Sequence, residues 1–496
     1  MQDIPSHQSL GRPHSTLAPT TFTTLFSIVE RQRTDMLANT ISKVARRGAS
    51  ASRANLSTVT VFDEAPVGLP TGGPGKVGPS APVSVEQLAN GVKVASSDNG
   101  GHVASIGIFV EAGSRFENAS NAGAAHTLSH MAFKSTNQRS DLRLFRDMEN
   151  AGVVSSAASG RDSIMYRVDC LRDSTDLAMD MVTESFTDGK FPGWEVAAVK
   201  SSSLSYELEN VEGNAQALLS EMVHSAAYGG ETTSLGRSQF AGRHQLGALT
   251  PEVLKQYVAD NFTTHRVVLA GTNVSQSTLK NLAESAFSGL GQGPAPSTET
   301  TYSGGKNLVR ATGDLTHVAV AFNSGGYGNS DLFAQMVLQN LLGGGAAMSQ
   351  NGVAGSQSRL AQNVLGGDVF ASYAFSNTYK DAGIFGLYGA CVGGSQDSTL
   401  AALMKEMDGA AAKACDAGEL QRAKVQLKAI VASNLESRSG NLEDIGSQAM
   451  VYGGVKSGAE IFAAIDSVTA AQVKNAAAGL LKSTPSVAAL GDISGL

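Results

Sequence analysis

The sequence predicts an α+β protein built from two homologous halves, each a mostly antiparallel sheet with helices packed on it. Three observations carry that prediction. Val103 to Val110 (VASIGIFV) alternates like a strand and leads into a helical stretch, and Val318 to Phe322 (VAVAF) leads in the same way into Ser330 to Leu342. The order then repeats: Ile164 to Leu171 (IMYRVDCL) precedes a helix over Ser174 to Thr187, as Gly383 to Val392 (GIFGLYGACV) precedes one over Asp397 to Ala414. Short matches also recur about 220 residues apart, pairing Ala227-Tyr228-Gly229-Gly230 with Val451-Tyr452-Gly453-Gly454 and Leu249-Thr250-Pro251 with Val468-Thr469-Ala470. The closing strands Arg266 to Gly271 and Ser486 to Gly491 share that offset. Strands and helices mingle without the regular spacing of βαβ units, so helices laid on one face of an antiparallel sheet fit better than a parallel sheet.

Taken in order, the chain opens on an extension, residues 1–83. Within it, residues 36–60 hold Lys43, Arg46, Arg47 and Arg53, no acidic residue, and many Ser, Ala and Asn. That is the composition of a mitochondrial transit peptide, and Leu37, Ile41 and Val44 share one helical face as an import helix requires. The pattern begins at Met36, which makes residues 1–35 an upstream extension. Residues 66–82 are rich in Gly and Pro and read as a flexible lead-in, with ordered structure expected from about Ser84. The first half spans 84–287, a Gly, Pro, Ser and Thr linker 288–305, and the second half 306–496.

Composition excludes several functions. The net charge of −7 and the lack of a basic run in the body give no footprint for nucleic acid. Cys170, Cys391 and Cys415 are too scattered for a disulfide framework, a CxxC metal site or an iron–sulfur cluster, and no CxxCH haem motif is present. No apolar run reaches the roughly 18 residues that would span a bilayer, so any membrane association is expected to be peripheral.

The chemistry-bearing stretch is Gly123 to Phe133, GAAHTLSHMAF. His126 and His130 stand four residues apart, on one helix face, where both imidazoles can reach one metal ion. The inverted zinc-peptidase motif is H-x-x-E-H, its glutamate the general base for a zinc-bound water. Here Ser129 occupies the glutamate's place. A hydroxyl is a poor proton acceptor at neutral pH, so the stretch keeps the spacing of a metal site and lacks its base. Ser129 as a nucleophile has no support either, since a G-x-S-x-G elbow is missing.

Gly113-Ser114-Arg115-Phe116-Glu117 and Gly123 to Lys134 resemble the pitrilysin-type metallopeptidases, specifically their mitochondrial processing-peptidase branch, which includes the core proteins of respiratory complex III. Tyr166 to Asp173, Trp194 to Ala198, His224 to Tyr228 and Tyr379 to Tyr388 are most similar to the core-protein-2 members. His126 to Lys134 and Ser234-Leu235-Gly236-Arg237 look more like the β-type processing subunit or core protein 1. In active members a third zinc ligand, a glutamate, follows the second histidine after 76 intervening residues; here that position is Glu207. The resemblance therefore implies a degenerate Zn2+ set of His126, His130 and Glu207. A second alternative stays open at this point: the His pair as a packing remnant, with Glu207 one of several helix glutamates beside Glu209 and Glu212.

The resemblance also implies a chain that is not catalytic by itself: a matrix-side core subunit of complex III, peripheral to the inner membrane, with a homologous partner subunit completing a shell around a cavity. The alternative it implies is a presequence-binding or processing subunit of a mitochondrial processing peptidase. Leu342 to Leu360, rich in glycine, lacks the Lys-Ser/Thr of a P-loop and reads as a mobile connection after a helix, or as the glycine-rich presequence-binding loop of an α-type processing subunit.

Overall fold

The computed structural model describes residues 83–294, 300–344 and 357–494. The import segment, the lead-in and most of the glycine-rich run lie outside the described residues.

The first half builds a six-stranded sheet from β1 (Ser84–Gln87), β2 (Lys93–Ser97), β3 (Val103–Val110), β4 (Val154–Ser159), β5 (Ile164–Leu171) and β6 (Val267–Thr272), in the order β1-β2-β6-β3-β5-β4. Only β2 and β6 pair in parallel. Its helices are α1 (Ala124–Met131), α2 (Asp141–Ala151), α3 (Thr175–Thr187), α4 (Gly193–Val199), α5 (Ser205–Gly213), α6 (Ala215–Ala227), α7 (Pro251–Asn261) and α8 (Gln276–Ala286). The second half repeats the plan with β7 (Gly305–Arg310), β8 (Leu315–Asn323), β9 (Val369–Thr378), β10 (Gly383–Val392) and β11 (Ser486–Gly491), in the order β7-β11-β8-β10-β9, where β7 and β11 are the parallel pair. Its helices are α9 (Leu332–Leu342), α10 (Arg359–Asn363), α11 (Gln396–Ala412), α12 (Ala417–Glu436), α13 (Arg438–Tyr452), α14 (Gly458–Ser467) and α15 (Ala470–Leu480). The class is α+β.

One feature goes beyond helices on a single face. On β3, Ile106, Ile108 and Val110 point into the first half's own core, while Phe109 points the other way with Val268 and Ala270. That second face is covered by Leu442, Ile445 and Ala449 of α13, a helix from the second half. The exchange is reciprocal: Leu219, Val223 and Ala227 of α6 cover Ala319, Ala321, Ile384 and Tyr388 of the second sheet. Gly446 makes the approach fit, because a Cβ there would stand 2.3 Å from the Phe109 ring. VASIGIFV, expected to alternate, is instead buried at every position after Val103, because both of its faces are covered.

Polar contacts fasten the same junction. Arg115, almost fully buried, bonds Asp162 of its own half at 3.2 Å and Asp381 of the other at 2.6 Å. Lys380 reaches back to Glu111 at 2.8 Å. Between the halves lies a cavity of about 380 Å³, into which Arg115, Arg161, Tyr379 and Lys380 face. Arg161 is held by Glu221 at 2.7 Å.

Candidate metal centre

The His-pair helix α1 is short and begins without an acidic residue in its first turn. Glu117 supplies the missing acceptors from outside: one carboxyl oxygen accepts the Gly123 N–H and the other the Ala125 N–H, both at 2.8 Å. Orphan amides at a helix start favour such an anion. Glu117 is only 6% exposed, and burial pushes its carboxyl up to about 7 against the pull of those amides and of Arg237. Gly123 itself has φ +87, and a Cβ on it would lie 2.5 Å from that of Ala241. Glycine is required there on both counts.

Glu207 arrives on α5, which continues α4 through a π-helical turn, Lys200–Leu204. The Ser205 hydroxyl donates to the Lys200 carbonyl at 2.7 Å within that turn. One extra residue in a turn rotates everything after it by about 100° relative to an unbroken α-helix. Glu207 thereby faces the histidines, whereas Glu209 and Glu212 point outward and pair with Arg243 at 3.8 and 2.8 Å. Proximity in sequence left these three glutamates indistinguishable; helix phase separates them.

His126, His130 and Glu207 do converge. Nε2 of His126 lies 3.1 Å and Nε2 of His130 2.6 Å from the same oxygen, Glu207 Oε2. All three groups present ligand atoms within 4.8 Å of one another, the one such cluster of His, Cys, Asp or Glu among the described residues. Hydrogen bonds from the two histidines, His126 foremost, hold the Glu207 carboxyl down at about 2. His126 is buried at 3% exposure, its ring set edge-on against His130 and Phe240. Its Nδ1 accepts the Ala241 backbone N–H at 3.2 Å.

The donor types suit zinc, which accepts imidazole nitrogen and carboxylate oxygen. The arrangement does not. Tetrahedral zinc with bonds of about 2.0–2.1 Å keeps its ligand atoms roughly 3.3 Å apart, and His130 Nε2 and Glu207 Oε2 are closer than that. The Ala241 amide also occupies the wrong nitrogen of His126, because a histidine that binds metal through Nε2 carries its proton on Nδ1.

Ser129 stands at the base position on α1. Its hydroxyl donates back to the His126 carbonyl at 2.8 Å and lies 3.4 Å from the Ser159 hydroxyl on β4. It offers no carboxylate to a water at the triad. The Glu117 cap and the Ala241 amide are contributions that motif spacing does not reveal. An acidic residue just upstream of a helix lacking one in its own first turn was the available signal for the first; a backbone amide leaves none.

A half bearing a spaced His, His, Glu set, followed by a second half of the same architecture without one among the described residues, defines a duplicated metallopeptidase scaffold. The chain belongs to peptidase family M16: residues 93–239 match Insulinase (Peptidase family M16), and residues 248–427 match the Peptidase M16 inactive domain. It is 34% identical to the mitochondrial-processing peptidase subunit alpha of Solanum tuberosum over 83% of this chain and 82% of that one. It is 31% identical to cytochrome b-c1 complex subunit 2 of Mus musculus over 85% and 92%. With a probable mitochondrial-processing peptidase subunit beta of Arabidopsis thaliana it shares 30% identity over 80% and 76%. The relatives are named as subunits, of the mitochondrial-processing peptidase in two cases and of the cytochrome b-c1 complex in the third.

Proposed function

We propose that the chain is a non-catalytic core subunit of mitochondrial complex III, placed peripherally on the matrix side of the inner membrane and joined to a homologous partner. The observation that carries the non-catalytic part is Ser129, whose hydroxyl is turned to a backbone carbonyl where hydrolysis needs a proton acceptor. Loss of a general base removes about 10²–10⁴-fold of rate. The assembly part leans on the likeness to cytochrome b-c1 complex subunit 2 over most of both chains. No helix among the described residues is long and apolar enough to cross a membrane.

A second reading, the presequence-binding subunit of a processing peptidase, draws on the likeness to alpha subunits. Affinity purification of the tagged full chain from mitochondria separates the two. Co-purification with haem-bearing complex III, and no presequence cleavage by the isolated chain, is expected. Recovery with a partner carrying intact H-x-x-E-H, in a haem-free complex that cleaves presequence peptide, would replace the first reading by the second.

A further inference from the structure

We propose that His126, His130 and Glu207 form a metal-free hydrogen-bonded clamp between α1 and α5, in which the Ala241 amide fixes His126 as the tautomer that cannot bind zinc. A backbone N–H only donates, so His126 Nδ1, 3.2 Å from the Ala241 nitrogen, must offer its lone pair. Neutral imidazole then carries its proton on Nε2, and that proton points at Glu207 Oε2, 3.1 Å away. The lone pair that a metal would take on Nε2 is absent. Moving the proton to Nδ1 would set two N–H donors against each other at a buried position, which leaves both without an acceptor.

The amide cannot readily turn aside. Ala241 is fully buried, and its Cβ fills the space left by the missing side chain of Gly123. Phe240 before it packs edge-on to the His126 ring, with centroids 5.5 Å apart. After it, Gly242 N–H donates to the Gln245 side chain at 2.9 Å and Gln245 N–H returns to the Gly242 carbonyl at 2.8 Å, closing a turn. Glu207 Oε2 meanwhile sits where both Nε2 atoms converge, the place an ion would hold.

This inference does not rest on which assembly the chain serves. The full chain, purified without chelators, is assayed for bound metal, and its melting temperature is followed with added zinc and with EDTA. Histidine-labelled nitrogen spectra then report which His126 nitrogen carries the proton, with His126→Gln used to assign the signal. The clamp predicts well under one zinc per chain, a melting temperature moved by neither zinc nor EDTA, and a proton on Nε2. A zinc ion held a thousandfold above its Kd would raise the melting temperature by several degrees. One zinc per chain, a fall in melting temperature with EDTA, or a proton on Nδ1 would each overturn the clamp, and none of these outcomes bears on complex III membership.

Discussion

The two halves make the same strand-to-helix step and put different chemistry on it. In the first, β3 leads to α1, whose start is held by a buried carboxylate and whose face carries two histidines against Glu207. In the second, β8 leads to α9, where Gln335 donates to the Ser324 carbonyl at 3.1 Å and Asn340 to the Met336 carbonyl at 2.9 Å. Asp331 precedes α9 without a side-chain cap bond. The second helix is held by apolar packing through Leu338, Leu341 and Leu342; the first, shorter and with polar groups inside, adds to its apolar contacts the Glu117 carboxyl that accepts its first amides. Duplication thus preserves what buries surface, while the His, His, Glu cluster is found in one copy among the described residues.

The comparison breaks most visibly where the halves exchange helices. Leu442→Ala on α13 and Leu219→Ala on α6 each empty a site of at most 1% exposure on the opposite sheet, and each is expected to cost about 2–5 kcal/mol in denaturant unfolding. If either variant loosened only the half that encodes it, as judged by amide exchange, the reciprocal packing would be wrong.

Next in size is the pH response of Glu117. Its folded value near 7 lies above the unfolded value of 4.5, so its contribution is fully present below about pH 4.5 and is lost as pH rises through 7. Wild type should lose on the order of 3 kcal/mol relative to Glu117→Gln across that window. Parallel stability curves for the two proteins between pH 4.5 and 8 would refute the assignment.

Glu207 should show the opposite sign. Its carboxyl is held at about 2, so its contribution is present above about pH 4.5 and fades as pH falls toward 2. The side chain is 37% exposed, and after screening Glu207→Gln is expected to cost about 1 kcal/mol at neutral pH, shrinking on acidification. Smallest of all, Asp331→Ala in the second half should stay within about 0.5 kcal/mol, since its side chain caps nothing. A larger loss there would mean that the two helix starts are not as different as their bonds indicate.

Much of this was legible in the chain. Strands β5, β10 and β11 fall on the segments whose alternation or apolar runs marked them, and the repeat at about 220 residues gave the duplicated α+β plan. The spacing of His126, His130 and Glu207 singled out three side chains that do meet. Those are properties of local period and of residue type, which the sequence carries directly.

Three things were settled only by the folded chain. Helices α6 and α13 cross to the opposite sheet because each strand has a second apolar face to bury, and a sequence pattern says that a face is buried but not by what. The π turn selects Glu207 over its neighbours by rotating one helix, a backbone phase that residue types do not encode. The Ala241 amide chooses the nitrogen on which His126 carries its proton, and an amide is common to every residue but proline. Sequence by itself determined which groups could form the site; long-range packing decided their partners, because hydrogen bonds depend on direction as well as on kind.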